Sequence, residues 1–426
     1  MLDLKYIREN AEIVRQTIKK KHEKDSLDKI LELDGRRREL LQKSEAIKNE
    51  RNNIAEEVAK AKRQGQDAAG FIAAGREKGD SLKTIEDELR IVEQELNDLV
   101  LYVPNVPHPS VPAGSDSNDN VEVRRWGDAT KNLDFKPLDH LALGEKLGIL
   151  DFNRGSKVAG AGFPVYVGKG AALERALINF MLDFHVNKHD YTEIFPPFVV
   201  NQASMRGTGQ LPKMAEDMYH CEIDDLYLVP TAEVPVTNLR RDEILPVEQL
   251  PLKYAAYSAC FRREAGSWGK ESRGFLRVHQ FNKVELVKFV KPEESYDELE
   301  KLVVDVEELV KLLNIPYRVM LLCAGDLSFS AAKCYDIEVF AQATEARNGW
   351  LEASSCSNFE SFQARRANIR FKRDLKSKPE FVHTLNGSGL ATSRLMVALL
   401  ENYQTPEGKV IVPKVLHEYT GFTIIG

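Results

Sequence analysis

The chain has 426 residues, of which 43% are hydrophobic and 29% charged, and 59 Lys and Arg against 65 Asp and Glu leave a net charge of −6. That length allows two or three domains with at least one sizeable core, and the ordinary composition excludes wholesale disorder. Bulk charge excludes non-specific attraction to nucleic acid, so any such role needs locally basic surface.

Five cysteines (Cys221, Cys260, Cys323, Cys334, Cys356) form no CxxC pair and no zinc-type cluster with histidines, and their odd number reads as free thiols in a reducing compartment. The opening MLDLKYIREN has Asp3, Lys5, Arg8 and Glu9 where a signal peptide needs an apolar run. No apolar stretch approaches the roughly 18 to 20 residues of a membrane span. A cytoplasmic protein with no membrane partner is expected.

In chain order, the first element is helical. Leu27 to Arg63 has no proline and a single glycine, Gly35, with Leu33, Leu40, Ile47, Ile54 and Ala61 recurring every seven residues. The companion seam, Ile30, Arg37, Ser44, Arg51 and Val58, is only half apolar. After the turn-rich QGQDAAG, a 3-4 spacing returns at Leu82, Ile85, Leu89, Val92, Leu96, Leu99 and Val103. Two such helices joined by a short turn predict an antiparallel hairpin about 50 Å long, without a globular core of its own. Such a rod serves equally as a dimerisation element, a spacer or an arm. Residues 1–63 carry 17 basic and 13 acidic side chains and residues 64–103 carry 4 and 9, so one helix is mildly basic and the other acidic. That pattern suits contact with phosphates along one side.

Pro104, Pro107, Pro109 and Pro112 end the hairpin and mark a boundary, giving residues 1–103 and 104–426 as two domains. Beyond it, Leu173, Ala176, Leu177, Phe180, Met181 and Phe184 predict an amphipathic helix, followed by the extended YTEIFPPFVV. Short strands are expected to dominate to about residue 290, and Ser295 to Leu313 reads as a helix. The second domain is therefore α+β with a largely antiparallel sheet flanked by helices.

The chemistry concentrates in YSACFRREAGSWGKESRGFLRVHQFNKVELVKF. Alternation puts Arg262 and Glu264 on one face of a first strand, and Arg277, His279, Phe281, Lys283 and Glu285 on one face of the returning strand. The intervening AGSWGKESRG, with Lys270 and Arg273, reads as a flexible basic loop. An arginine fork, an aromatic ring and carboxylates on paired strands suit a charged ligand with a flat ring better than a solvated face does. Farther on, GSGLAT (Gly387 to Thr392) comes close to a dinucleotide fingerprint. The 34 residues after it cannot supply a Rossmann half-domain, so its glycines read as close approach to a ligand at a helix N-terminus.

FRREAGSWGKESRG followed by RVHQFNKVE resembles motif 2 of the class II aminoacyl-tRNA synthetases, in its seryl-tRNA synthetase version. YLVPTAEVPVTNL resembles that family's serine loop, GWLEASSCSNFESFQARR its ATP and metal segment, and HTLNGSGLATSR its motif 3. The hairpin resembles its tRNA-binding arm, so the likeness runs the length of the chain. The resemblance implies a class II catalytic domain over 104–426 that joins ATP and L-serine into seryl adenylate and charges tRNA(Ser), and tRNA(Sec) where that is present. It implies Arg262, Glu285 and Arg394 as catalytic residues, and Thr231, Ala232, Glu233, Glu285 and Ser388 around serine. Strand alternation independently places Thr231 and Glu233 on one face. ATP would meet Arg262, Arg263, Glu264, Val278, Phe281, Glu352, Ala353, Ser354, Ser355 and Arg394, with Mg²⁺ on Glu352 and Ser355 and no zinc. Arg263 should point away from Arg262. The helix Ala171 to His185, with Pro196 and Pro197, would be motif 1 and implies a homodimer. Thr392 and Ser393 stand where relatives have a small pair including glycine. The competing readings are a paralogue that charges a carrier protein, which would lack the arm, and a non-catalytic coiled-coil scaffold.

Overall fold

The computed structural model describes residues 1–129, 133–265 and 274–426. The basic loop with Lys270 and Arg273 lies outside them. The chain divides into two compact units, one of Leu2–Pro104 and one of Asn105–Gly426 together with Met1.

The first unit contains α1 (Leu4–Glu9), α2 (Ala11–Lys20), α3 (Leu27–Arg63) and α4 (Ala69–Val100). Helix α3 covers the heptad stretch, whereas α4 starts well before its own heptads, at Ala69. Leu33, Leu40, Leu82, Val92 and Leu96 are buried along the seam, while Ile47, Ile54 and Val58 are half-buried, as expected where the companion seam is polar. Ion pairs Arg36–Glu88 (2.5 Å), Arg37–Glu93 (2.9 Å), Lys48–Glu86 (2.9 Å) and Lys78–Glu50 (2.6 Å) join the helices in antiparallel order. Arg36, Arg37 and Lys48 of α3 thus face carboxylates of the acidic helix. The expectation of a coreless rod is corrected: Ile7, Val14 and Ile18 of α1 and α2 are buried, as are Leu27 and Ile30, and Arg8 pairs with buried Asp34 at 2.8 Å. Ile7, Ala11, Val14 and Ile18 follow a 4-3-4 spacing of their own, so these two helices extend the helical pattern beyond the two-helix hairpin expected from the sequence.

The second unit is α+β. Its eight-stranded sheet runs β1 (Val121–Trp126), β5 (Tyr317–Leu321), β6 (Lys333–Phe340), β7 (Trp350–Asn358), β8 (His383–Ala391), β4 (Gln280–Val290), β3 (Leu252–Phe261), β2 (Thr192–Ile194). Every pairing is antiparallel except β2 with β3. Helices α5 (Lys169–His189), α6 (Gln202–Thr208), α7 (Glu233–Asn238), α8 (Ser295–Leu312), α9 (Phe362–Ala367) and α10 (Thr392–Asn402) accompany it.

Strand β4 shows how the sheet is used. Val284, Leu286 and Val290 enter the main core with Leu173, Leu177 and Met181 of α5 and Leu299, Leu302 and Val306 of α8. Val287 and Phe289, on the opposite face, join a second core with Val236 of α7 and Ala364 of α9. Phe281, Lys283 and Glu285 continue that second face beyond the apolar residues. A strand sandwiched by two cores is rigid, so the charged end of its second face is held in place. All five cysteines are free, and all but Cys221 are buried.

Candidate active site

A cavity of about 500 Å³ opens beside the charged end of β4. Strand β3 stops at Phe261, and Arg262 and Glu264 follow it rather than belonging to it. Both still line the cavity, because Glu264 takes a left-handed turn (φ 49°). The expected shared strand face is corrected for the partner strand too: β4 begins at Gln280, so Arg277 and His279 precede it. His279 donates its backbone N–H to Gly162 and stacks on Phe163 at 5.4 Å, while Val278 and Arg277 line the cavity. Arg262 lies over the Phe281 ring at 5.2 Å and donates Nε to the Pro230 carbonyl at 3.3 Å. Arg277 Nη1 meets Glu264 Oε2 at 2.8 Å.

Thr231 and Glu233 do not share a strand. Glu233 opens α7, a helix that tolerates Pro235 because first-turn N–H groups have no helical partner. The Thr231 hydroxyl accepts from the Glu233 N–H (3.2 Å) and donates to Glu285 Oε2 (3.3 Å), so the turn aims both side chains at the same place.

Two register shifts complete the site. Between β6 and β7, Ile337 pairs with Ser354 but Glu338 pairs with Glu352, so Ala353 is extra. Three residues apart on a regular strand, Glu352 and Ser355 would face opposite ways; the bulge lets both line the cavity. Between β4 and β8, Lys283 pairs with Ala391 and Glu285 with Ser388, two residues against three. There Leu390 takes φ 141° and Ser388 is brought to the cavity. The glycines of GSGLAT serve packing in β8. A Cβ on Gly387 would meet Cys356 Sγ at 2.9 Å and one on Gly389 would meet His185 Nε2 at 2.9 Å. That corrects the reading of them as ligand-approach residues at a helix N-terminus.

The charges are distributed unevenly. Glu285 is fully buried, yet it is met by Lys283 Nζ (2.5 Å), Asn386 Nδ2 (2.7 Å) and Thr231. Burial and then the Glu285 charge push the Glu233 carboxyl up to about 7, against the pull of Gln363, Lys283 and Arg262. Burial also disfavours the Glu352 charge, but Arg394, Arg262 and Arg347 together hold that carboxyl below its usual range. Arg394 Nη1 reaches Glu352 Oε2 at 3.3 Å and the Glu352 carbonyl at 2.8 Å. Cations and carboxylates alternate, as a site for a zwitterion and a polyphosphate requires.

Family models match at both ends: the seryl-tRNA synthetase N-terminal domain over residues 1–107, and the class II core domain of the G, H, P, S and T synthetases over residues 219–403. The serine–tRNA ligase of Chloroherpeton thalassium is 58% identical over 430 residues, covering 100% of both chains. The chain belongs to the seryl-tRNA synthetase family. The serine–tRNA ligase of Carboxydothermus hydrogenoformans is 57% identical, with 99% of this chain and 98% of its own covered. Among solved structures, the seryl-tRNA synthetase of Pyrococcus horikoshii complexed with ATP superposes with a TM-score of 0.93 at 40% identity, covering 100% of this chain and 99% of that one. The cytoplasmic serine–tRNA ligase of Naegleria fowleri in complex with AMP gives 0.87 at 32%, covering 100% and 98%.

Of the residues implied by the likeness to seryl-tRNA synthetases, Thr231, Glu233, Arg262, Glu264, Val278, Phe281, Glu352, Ala353, Ser354, Ser355, Ser388 and Arg394 line the one cavity. Glu285 stands behind Thr231 and Lys283. Ala232 is fully buried in the second core, and Arg263 lies over Tyr219 at 5.8 Å, away from Phe281. Lys283, expected on the ligand face of its strand, and Asn386 also line the cavity, and both meet Glu285. Lys283 was legible as the neighbour of Glu285 two positions along one strand face. Asn386 reaches Glu285 only through the β4–β8 pairing and has no local signal. Thr392 gains an account: its hydroxyl donates to buried Glu174 of α5 at 2.5 Å, tying the start of α10 to that helix. Ser393, 6% exposed, lines the cavity beside Arg394.

Proposed function

We propose that this chain is a serine–tRNA ligase that activates L-serine with ATP and passes the seryl group to tRNA(Ser), and to tRNA(Sec) where that is present. The observation that carries the reading is one cavity lined by both Thr231–Glu233, with Glu285 behind, and the Arg262–Phe281–Glu264–Glu352–Arg394 set. The serine carboxylate attacks the α-phosphorus, the bond to the pyrophosphate oxygen breaks, and pyrophosphate leaves. Arg262 neutralises charge on the α-phosphate as it develops, and Arg394 does so on the departing phosphates. Phe281 carries Arg262 on one face, leaving the other for adenine, whose amino group Glu264 receives. Val278 supplies a backbone contact to the nucleotide, and Ala353 and Ser354 complete that wall. Glu233, Glu285, Thr231 and Ser388 take the ammonium and hydroxyl donors of serine; alanine would leave these buried acceptors unpaired. A tRNA terminal hydroxyl then takes the seryl group from the adenylate, releasing AMP.

Glu352 and Ser355, turned to one side by the Ala353 bulge, offer one carboxylate and one hydroxyl. That sparse oxygen set fits Mg²⁺ shared with phosphates, and differs from the closed thiolate and imidazole sets of structural zinc. Glu352 and Ser355 would hold Mg²⁺, which would supply charge neutralisation on the phosphates. The N-terminal arm grips tRNA backbone and shape. A homodimer forms through α5 and the Pro196–Pro197 segment, supported by Phe195, an aromatic ring 77% exposed beside it. No helix is long and apolar enough to cross a membrane, among the described residues, and we place the enzyme in the cytoplasm. Serine-dependent ATP–pyrophosphate exchange, run against the other amino acids, tests the reading; exchange that prefers another amino acid overturns it.

A further inference from the structure

Two carboxylates serve the proposed serine site, and they are held by opposite means. Glu285 has a cation, Lys283 Nζ, at 2.5 Å. Glu233 Oε1 instead accepts from a neutral amide, Gln363 Nε2, at 2.6 Å. Gln363 sits on α9, is 1% exposed and lies outside the cavity wall.

The direction of that amide is dictated by its surroundings. Its Nε2 also faces the Thr208 backbone carbonyl at 3.1 Å, which can only accept, so the nitrogen must be on that side. Its Oε1 accepts from the Thr384 hydroxyl at 2.8 Å. Both donors and the acceptor are occupied, so the second N–H has one direction left, toward Glu233. A flipped amide would set oxygen against the Thr208 carbonyl and Glu233 together. The three partners come from α6, α7 and β8, so α9 locks the pocket carboxylate to the sheet.

A cation in this place would cancel the charge of Glu233. An amide aims the carboxylate and leaves its charge for an incoming donor. The other charged groups facing Glu233 are Glu285 and Lys283 on β4 and Arg262 after β3, with the Thr231 hydroxyl on the preceding turn. Of these, Glu285 opposes the Glu233 charge, while Lys283 and Arg262 support it alongside Gln363.

We propose that Gln363 is a positioning residue for amino-acid selection: its amide fixes the direction of the Glu233 carboxylate and keeps that carboxylate charged for the amino acid, while the nucleotide step does not depend on it. The inference rests on the function proposed above.

The test is ATP–pyrophosphate exchange by the full-length protein between pH 6 and 9, with KM measured for serine and for ATP. Gln363→Met keeps the length and removes the amide. It is expected to raise the serine KM roughly 10- to 150-fold, the value of a hydrogen bond to a charged group, with the ATP KM within about twofold. The acid limb of kcat/KM for serine should move up by about one pH unit or more, since Glu233 now takes a proton more readily. Thr384→Val, a milder change that frees the amide oxygen, should move the serine KM in the same direction by a smaller factor, and it decides the matter if Gln363→Met does not fold. Serine and ATP KM values rising together, or an unmoved acid limb in folded variants, would overturn the proposal. Wild-type protein that exchanges no pyrophosphate with serine sinks the reading of the site itself; wild type that does, with variants indistinguishable from it, sinks only the role of Gln363.

Discussion

The arm and the catalytic unit are stabilised by different kinds of contact. In α3 and α4 the buried residues form a sparse seam, Leu33, Leu40 and Ser44 on one helix and Leu82, Val92, Leu96 and Val100 on the other, and ion pairs such as Arg37–Glu93 join the two. In the sheet, β4 alone touches β3, β8 and two cores on opposite faces, and its functional end depends on a register shift against β8. A hairpin of local repeats tolerates change at one place without disturbing another. A site assembled from the segment after β3, from β4, β7 and β8, and from two helices does not.

Removing the arm tests this comparison most severely. Replacing Leu27 to Leu99 by a short linker should leave serine-dependent exchange near wild type, while tRNA charging falls by several orders of magnitude and wild-type charging weakens steeply with salt. Unimpaired charging would make the hairpin a spacer or dimer element; lost exchange in a protein folded by circular dichroism would deny the two units their independence.

Next in size is Leu40→Ala, which opens a cavity at a position 1% exposed. A cost of about 2 to 5 kcal/mol is expected, appearing as earlier loss of helical signal and hydrogen-exchange protection in the arm. Exchange activity should stay within about twofold; a parallel loss would show that the units unfold as one.

A single carboxylate in the other unit should behave in the reverse way. Glu285→Ala removes contacts worth roughly 1.5 to 3 kcal/mol to a charged group, about 10- to 150-fold in serine-dependent kcat/KM. It also strands Lys283, 6% exposed, without its carboxylate, so the thermal midpoint should fall as well. Exchange within threefold of wild type would remove Glu285 from the site. Arg262→Lys, by contrast, should lower turnover more than serine binding, because lysine lacks the planar fork.

The smallest effect is on stability against pH. Burial holds the imidazoles of His185 and His383 down, at about 3 and about 4, so between pH 6.5 and 4.5 the unfolded chain takes up protons that the folded one refuses. Stability from these two groups therefore falls as pH falls. Glu233, pushed up to about 7, acts oppositely, since the folded chain binds its proton first as pH drops. At roughly 1.4 kcal/mol per unit the two imidazoles outweigh the carboxyl, for a net loss of about 2 kcal/mol by pH 4.5. Denaturant midpoints from pH 7 to 4.5 measure it. A His185→Gln variant should lose less stability than wild type over that range; an identical slope would contradict the assignment.

Much was legible in the residues alone. The heptads of Leu33 and Leu82 predicted α3 and the later part of α4, because helix pairing depends on spacing along the chain. The run Ser295 to Leu313 predicted α8 for the same reason, and the likeness of FRREAGSWGKESRG and TAE to a known family drew attention to residues that do share a cavity. Helices α1 and α2 carry the same kind of spacing, at Ile7, Ala11, Val14 and Ile18, but the burial of that face is a tertiary fact.

What only the tertiary structure decided are the places where alternation breaks. Glu352 and Ser355 come to one side through an extra Ala353, and Ser388 reaches the cavity through strain at Leu390. Thr231 and Glu233 converge through a helical turn and not a strand. A register shift is set by what the neighbouring strand will pair with and by what packs behind it, and neither is written in the local sequence. Asn386 on Glu285 and Gln363 on Glu233 are contacts 101 and 130 residues apart in the chain. Their chemistry is visible in the residue types, but their meeting is decided by strand pairing and helix packing over distances that no periodicity spans.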